Sequence, residues 1–219
     1  MKSHIIKTLV ISAAMAVASI TSADNWVNVN FGPTTASLGG PAGGSGAIWN
    51  QQTGTGTSNA TTLQDATGVD TTIGWSFTGG SFSSSSWTGG SEKTPITMLQ
   101  GALWLQDSNI RTLTISGLNP ANKYALYIAS FDQNNWANTP MSFSTTNTTT
   151  TVGAQVTWNT LGTPWTLNDN YVLFEGLEPN SSNAIVIDGV RVEGLYAMWC
   201  GFQLKEITGP PSGTLIVIK

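Results

Sequence analysis

The segment Phe131-Asp132-Gln133-Asn134-Asn135-Trp136 puts two aromatic rings, one carboxyl and three side-chain amides within six residues. That combination holds sugars: an aromatic plane takes the apolar face of the ring, and amides or carboxylates take the hydroxyls. Asp132, Gln133, Asn134 and Trp136 are therefore the leading candidate ligand set. Trp87 joins them, because Ser83 to Ser86 on one side and Gly89-Gly90 on the other give it no apolar company. Trp165, which follows Pro164, is a further candidate. The competing assignment for 131–136 is structural, with Phe131 and Trp136 tucked against a sheet edge while the Asp and Asn side chains build turns. Trp26, Trp49, Trp75, Trp104, Trp158 and Trp199 lie in or beside strand-like patterns and are assigned to the core.

Other chemistries are poorly supplied. His4 is the only histidine and lies in a leader expected to be removed, so imidazole bases, Ser-His-Asp arrangements and histidine-zinc sites are excluded from the mature chain. Cys200 is single and stands between Met198-Trp199 and Gly201-Phe202, which suits a packed, inert thiol. A glycosidase needs two carboxyl groups facing each other across the sugar. No motif marks such a pair among the 12 acids, and the chain is read as non-catalytic. Asp132 and Asp188, with Asn134 and Asn135, are candidate ligands for a structural calcium, although the Asp-x-Asp-x-Asp-Gly spacing is absent. No other cofactor is implied. The Gly- and Pro-rich run Ser37 to Gly46 is a loop, since no Gly-Lys-Ser/Thr follows to make it a phosphate cradle.

Charge narrows the partners. The chain has 8 bases against 12 acids, and Lys93, Arg111, Lys123, Arg191, Lys205 and Lys219 are scattered along it. Nucleic acid, which needs clustered Lys and Arg, is excluded as a partner. Charged residues make up 9% of the chain, against about a quarter in ordinary globular domains. A hydrophobic content of 40% with nine Trp nevertheless supplies a core that disordered chains lack.

The elements that must position these side chains are strands. Lys2 and Lys7 ahead of the apolar run Leu9 to Ala18, followed by Thr21-Ser22-Ala23, read as a signal peptide over 1–23 with the mature chain starting at Asp24. The product is expected outside the cell, and no later segment is long and apolar enough for a membrane-spanning helix. Val27, Val29 and Phe31 alternate with Asn28 and Asn30, as in a half-buried strand with its asparagines outward. Ile73-Gly74-Trp75-Ser76-Phe77 alternates again. Arg111 to Ser116 and Lys123 to Ser130 form two strands joined by a tight connection at Gly117-Leu118-Asn119-Pro120. Further strands are expected at 141–145, 154–158, 170–174, 184–188 and 201–207. Ile96 to Leu105 is the one stretch that could carry a helical turn, and Thr145 to Thr151 suits an exposed strand edge. Many short strands separated by turn residues make an all-β antiparallel sandwich or barrel. One domain is expected over 24–208, followed by a Pro/Gly linker and a terminal strand over 209–219.

Val27-Asn28-Val29-Asn30-Phe31-Gly32, then Leu113-Thr114-Ile115-Ser116-Gly117-Leu118-Asn119-Pro120 with Tyr124-Ala125-Leu126-Tyr127, resembles secreted bacterial proteins with a galactose-binding-like jelly roll. Tyr171 to Leu177 and Gly201-Phe202-Gln203-Leu204 fit the same resemblance. It implies a jelly-roll β-sandwich of the carbohydrate-binding-module type whose partner is a polysaccharide or other neutral glycan. The alternative is a structural or adhesive surface protein that self-associates through sheet edges and polar Thr/Asn faces.

Overall fold

The computed structural model describes residues 25–31, 39–43, 47–51, 59–60, 62–79, 83–86, 101–105, 108–130, 140–145, 148–152, 165–192 and 197–207. The expected signal peptide, the strand at 154–158 and the terminal segment 209–219 lie outside them.

A five-stranded sheet is built from β1 (Trp26–Asn30), β2 (Asn50–Gln51), β8 (Lys123–Ala129), β11 (Tyr171–Leu177) and β14 (Gly201–Ile207), in the order β11-β8-β14-β1-β2. A six-stranded sheet holds β3 (Asn59–Ala60), β4 (Gly74–Thr78), β7 (Arg111–Ser116), β9 (Met141–Thr145), β10 (Thr148–Val152) and β12 (Ile185–Arg191), in the order β10-β9-β12-β7-β4-β3. All their named pairings are antiparallel except β1 with β2. A third sheet, β13-β6-β5, joins Ala197–Trp199, Gly101–Leu105 and Ser83–Ser86. The arrangement is all-β and sandwich-like, with this small sheet as an addition to the two layers that the sequence implies. The 101–105 part of the stretch considered for a helical turn is strand β6.

The alternation in the sequence explains the layers. Val27, Val29, Leu126, Ile128, Val172, Phe202 and Leu204 from the five-stranded sheet meet Trp75, Phe77, Leu113, Ile115, Phe143, Ile185 and Ile187 from the six-stranded sheet in one buried core. Phe31, Trp75, Phe77, Phe143, Trp199 and Phe202 form its aromatic centre, with Phe77 and Phe143 ring centroids 4.8 and 4.9 Å from Trp199. Burying this many large rings is the principal stabilising term, at about 25 cal/mol per Å² removed from water. Gly189 makes the fit possible, because a Cβ there would stand 3.0 Å from the Trp199 ring and 3.1 Å from the Phe143 ring. Cys200 is buried as expected.

Strands β7 and β8 are joined by the short connection expected from the sequence, and the chain crosses from one sheet to the other between them, with Gly117 at φ 74°. One sequence expectation changes: the asparagines of β1 are not outward in solvent. Asn28 and Asn30 are as buried as Val27 and Val29, because the segments around Gly40–Gly43 and Ile48–Gln51 cover that side. Among the described strands, the part of the Thr-rich run from Thr148 onward forms an edge strand, β10.

Candidate functional site

The register of the five-stranded sheet sets its outer face. Trp26 lies opposite Lys205, Asn28 opposite Gln203, Gln203 opposite Tyr127, and Tyr127 opposite Leu173. Strand alternation therefore brings Trp26, Tyr127, Tyr171 and Lys205 to one side, while Val27, Leu126, Val172 and Leu204 face the core. Ala125 and Ala129 supply small side chains on β8 next to Tyr127. The larger rings form a continuous run. Trp26 and Tyr127 have centroids 5.8 Å apart, Tyr127 and Tyr171 6.2 Å, and Tyr171 and Trp165 6.2 Å. All four are partly exposed.

Trp165 is held against this face by the turn that precedes β11. Asn170 is buried and its Oδ1 accepts the Thr166 N–H at 2.9 Å, while its carbonyl accepts the Ser130 N–H. Asn168 adopts φ 64°, which suits an asparagine in the left-handed region.

Charged groups edge the run. Lys205 Nζ stands 5.2 Å from the Trp26 ring centroid, within cation-π range. Burial raises the Tyr127 pKa above its ordinary 10.0, the Glu175 charge adds to the rise, and Lys205 opposes it. Tyr127 thus remains a neutral hydroxyl throughout the ordinary pH range. Burial also raises the Asp169 carboxyl above its ordinary 3.8. The face offers apolar planes, an ammonium donor, a carboxylate acceptor and phenolic hydroxyls.

Beside Trp26 the face is floored by amides. Gln203 Nε2 donates to Asn28 Oδ1 at 2.9 Å and to the Gly43 carbonyl at 3.2 Å, and Gln203 Oε1 accepts the Ala42 N–H at 3.0 Å. Asn28 Nδ2 donates to the Ile48 carbonyl, and Asn50 ties the Asn28 and Gln64 carbonyls together. Gly40 packs directly against the Gln203 carboxamide, which a Cβ at that position would have to push aside. A small cavity of about 60 Å³ remains between Trp26, Asn28, Ala42, Gly43, Ala47, Ala66 and Gln203.

A larger cavity of about 270 Å³ opens at the end of the core, lined by Asn25, Asp65, Thr72, Asn119, Tyr124 and Glu206 among others. Glu206 accepts there from Asn25 and Asn122. Asp65 is committed to its own turn, accepting from Thr67 and Val69.

The loop residues singled out from sequence, Trp87, Asp132, Gln133, Asn134 and Trp136, lie outside the described residues. Ser130, two positions before Asp132, follows β8 and lies beside Asn170, at the Tyr171 end of the aromatic run. Asp188 lies in β12, where its Oδ1 accepts the Thr112 hydroxyl at 2.6 Å. Among the described residues no three His, Cys, Asp or Glu side chains gather as a metal site. Trp26 is a correction: assigned to the core from its place in a strand, it stands partly exposed on the outer face, because the core side of β1 belongs to Val27, Val29 and Phe31. Trp49, Trp75 and Trp199 are buried as expected. Tyr127 and Tyr171 were missed, although their places in the alternation already put Tyr127 opposite in phase to Tyr124, Leu126 and Ile128.

No protein-family model and no curated protein sequence matches the chain. Among solved structures it is similar to a Podospora anserina GH26-CBM35 β-(1,4)-mannanase, at 15% identity and a TM-score of 0.30. The likeness covers 52% of this chain and 23% of that one. The chain therefore spans less than a quarter of the mannanase, and nothing about its activity follows from so slight a likeness.

Proposed function

We propose that the chain is a non-catalytic carbohydrate-binding β-sandwich of the jelly-roll type, and that it holds a neutral glycan on the outer face of the five-stranded sheet. The observation that carries this reading is the run of partly exposed rings Trp26, Tyr127, Tyr171 and Trp165, each within 6.2 Å of the next. Aromatic planes desolvate the apolar faces of successive sugar rings, while Lys205, Glu175 and the tyrosine hydroxyls meet sugar hydroxyls. Trp87, Asp132, Gln133, Asn134 and Trp136 are proposed as loop contributors. Export follows from the leader: residues 1–23 are removed, 24–208 form the domain, and the product is extracellular.

The test is affinity electrophoresis of the exported chain in gels carrying a panel of neutral polysaccharides. At least one should retard the wild type, and Tyr127→Ala and Tyr171→Ala should each run free while melting as folded proteins. Mobility unchanged in every gel overturns the reading.

The alternative is assembly through sheet edges, and it is favoured by β10, which pairs with β9 alone among the described strands. It requires sedimentation that changes with protein concentration in the absence of any glycan.

A further inference from the structure

The small cavity beside Trp26 has a chemistry of its own. Apart from two amides it is lined by small residues, Ala42, Gly43, Ala47 and Ala66, together with Trp26. Its floor is the amide pair Asn28 and Gln203, both buried. The orientation of each amide is fixed by backbone partners. Gln203 must point Oε1 at the Ala42 N–H and Nε2 at the Gly43 carbonyl, and Asn28 must point Nδ2 at the Ile48 carbonyl.

This fixes what a ligand finds. Both hydrogens of Gln203 Nε2 are spent, on Asn28 Oδ1 and on Gly43. Gln203 Oε1 and Asn28 Oδ1 each accept one bond and retain a second lone pair, and Asn28 Nδ2 keeps one hydrogen beyond that given to Ile48. The floor thus offers two acceptor positions and one donor between methyl walls. A carboxylate or sulfate, which brings a charge and only acceptors, leaves both lone pairs unmet. A substituent that pairs an N–H donor with a methyl group is matched. At about 60 Å³ the space takes roughly four water-sized groups of about 15 Å³ each, which accommodates the nitrogen, carbonyl and methyl of an acetamido group.

We infer that this cavity is a subsite for the 2-acetamido group of an N-acetylhexosamine, seated while the sugar ring lies against Trp26. The inference rests on the glycan-binding reading above and specifies the substrate class of that same face.

The test is calorimetric titration of the exported chain with the β-1,4-linked hexamers of N-acetylglucosamine, of glucosamine and of glucose. The wild type should bind the N-acetylated hexamer at least tenfold more tightly than the glucose hexamer. Its preference over the glucosamine hexamer, which keeps the nitrogen and loses the acetyl group, should be of similar size. Ala66→Leu and Ala42→Leu each fill the cavity, and in either variant the preference over glucose should fall to about one. Equal wild-type affinity for all three hexamers overturns the inference and leaves the glycan-binding reading in place. Binding of none of them overturns the inference, and the polysaccharide panel then decides the wider reading separately. A tenfold preference that survives in a folded Ala66→Leu or Ala42→Leu variant also overturns it.

Discussion

The Tyr124 hydroxyl oxygen accepts the backbone N–H of Asn119 at 2.8 Å, pinning the point where the chain leaves β7 in one sheet and enters β8 in the other. The ring itself is buried at the core end, and burial raises its pKa above 10.0. Gly117 precedes this point with φ 74°, and a Cβ there would drive into the Thr72 carbonyl. Tyr124→Phe keeps the packing and loses the bond, so it should cost about 1 kcal/mol in urea denaturation. Gly117→Ala adds strain to a steric clash and should cost more, on the order of 1–3 kcal/mol.

Gly189→Ala tests the aromatic centre. Neither the Trp199 ring nor the Phe143 ring can fold away from a new methyl as a flexible side chain would, so the strand or the rings must shift. Overpacking of this kind costs about 1–3 kcal/mol. A melting temperature within a degree of wild type would show that the core yields more easily than its close contacts imply.

The tryptophans should separate into two groups. Trp75→Ala empties a fully buried site and should cost roughly 3–5 kcal/mol. Trp26→Ala removes a partly exposed ring and should cost about 1 kcal/mol, yet it should abolish retention in the glycan gel. Equal destabilisation, with retention lost only in proportion to unfolding, would make Trp26 structural.

Asp65 gives an acid limb of known sign. Its hydrogen bond from the Thr67 hydroxyl, with backbone bonds from Val69, Thr67 and Gly68, holds its pKa below the ordinary 3.8. A depressed carboxyl stabilises the fold above its unfolded pKa of about 3.9, and that contribution is lost as pH falls through the folded value. The side chain is partly exposed, so solvent screening keeps the effect small. Asp65→Asn keeps the turn but cannot titrate. Between pH 5 and about pH 2 its melting temperature should therefore fall less steeply than that of the wild type.

Period-two alternation was enough to find β1, β4, β7 and β8, and it divided the residues of β1 and β4 between two faces. It could not show which of those faces loops would cover. Asn28 and Asn30 look like solvent residues because nothing in Val-Asn-Val-Asn announces Gln203, which arrives from the far end of the chain. The aromatic run was hidden for a related reason. Trp26, Tyr127 and the Trp165/Tyr171 pair are distant in sequence, and only the strand order β11-β8-β14-β1 makes them neighbours. A local search for aromatics among polar residues instead favours segments such as 131–136, where composition alone does the pointing.

Strands β1 and β14 pair over five residues, and just beyond the pairing Glu206 N–H bonds the Asn25 carbonyl at 3.0 Å. The first described strand and the last are therefore side by side in the middle of a sheet. During synthesis β1 has no partner on that side until residues near 207 have been made, so the sheet closes late and folding is expected to be slow. Once the sheet is closed, Asn25 and Glu206, near the two ends of the described residues in chain order, stand side by side, so that the start of β1 and the end of β14 lie at one end of the sheet.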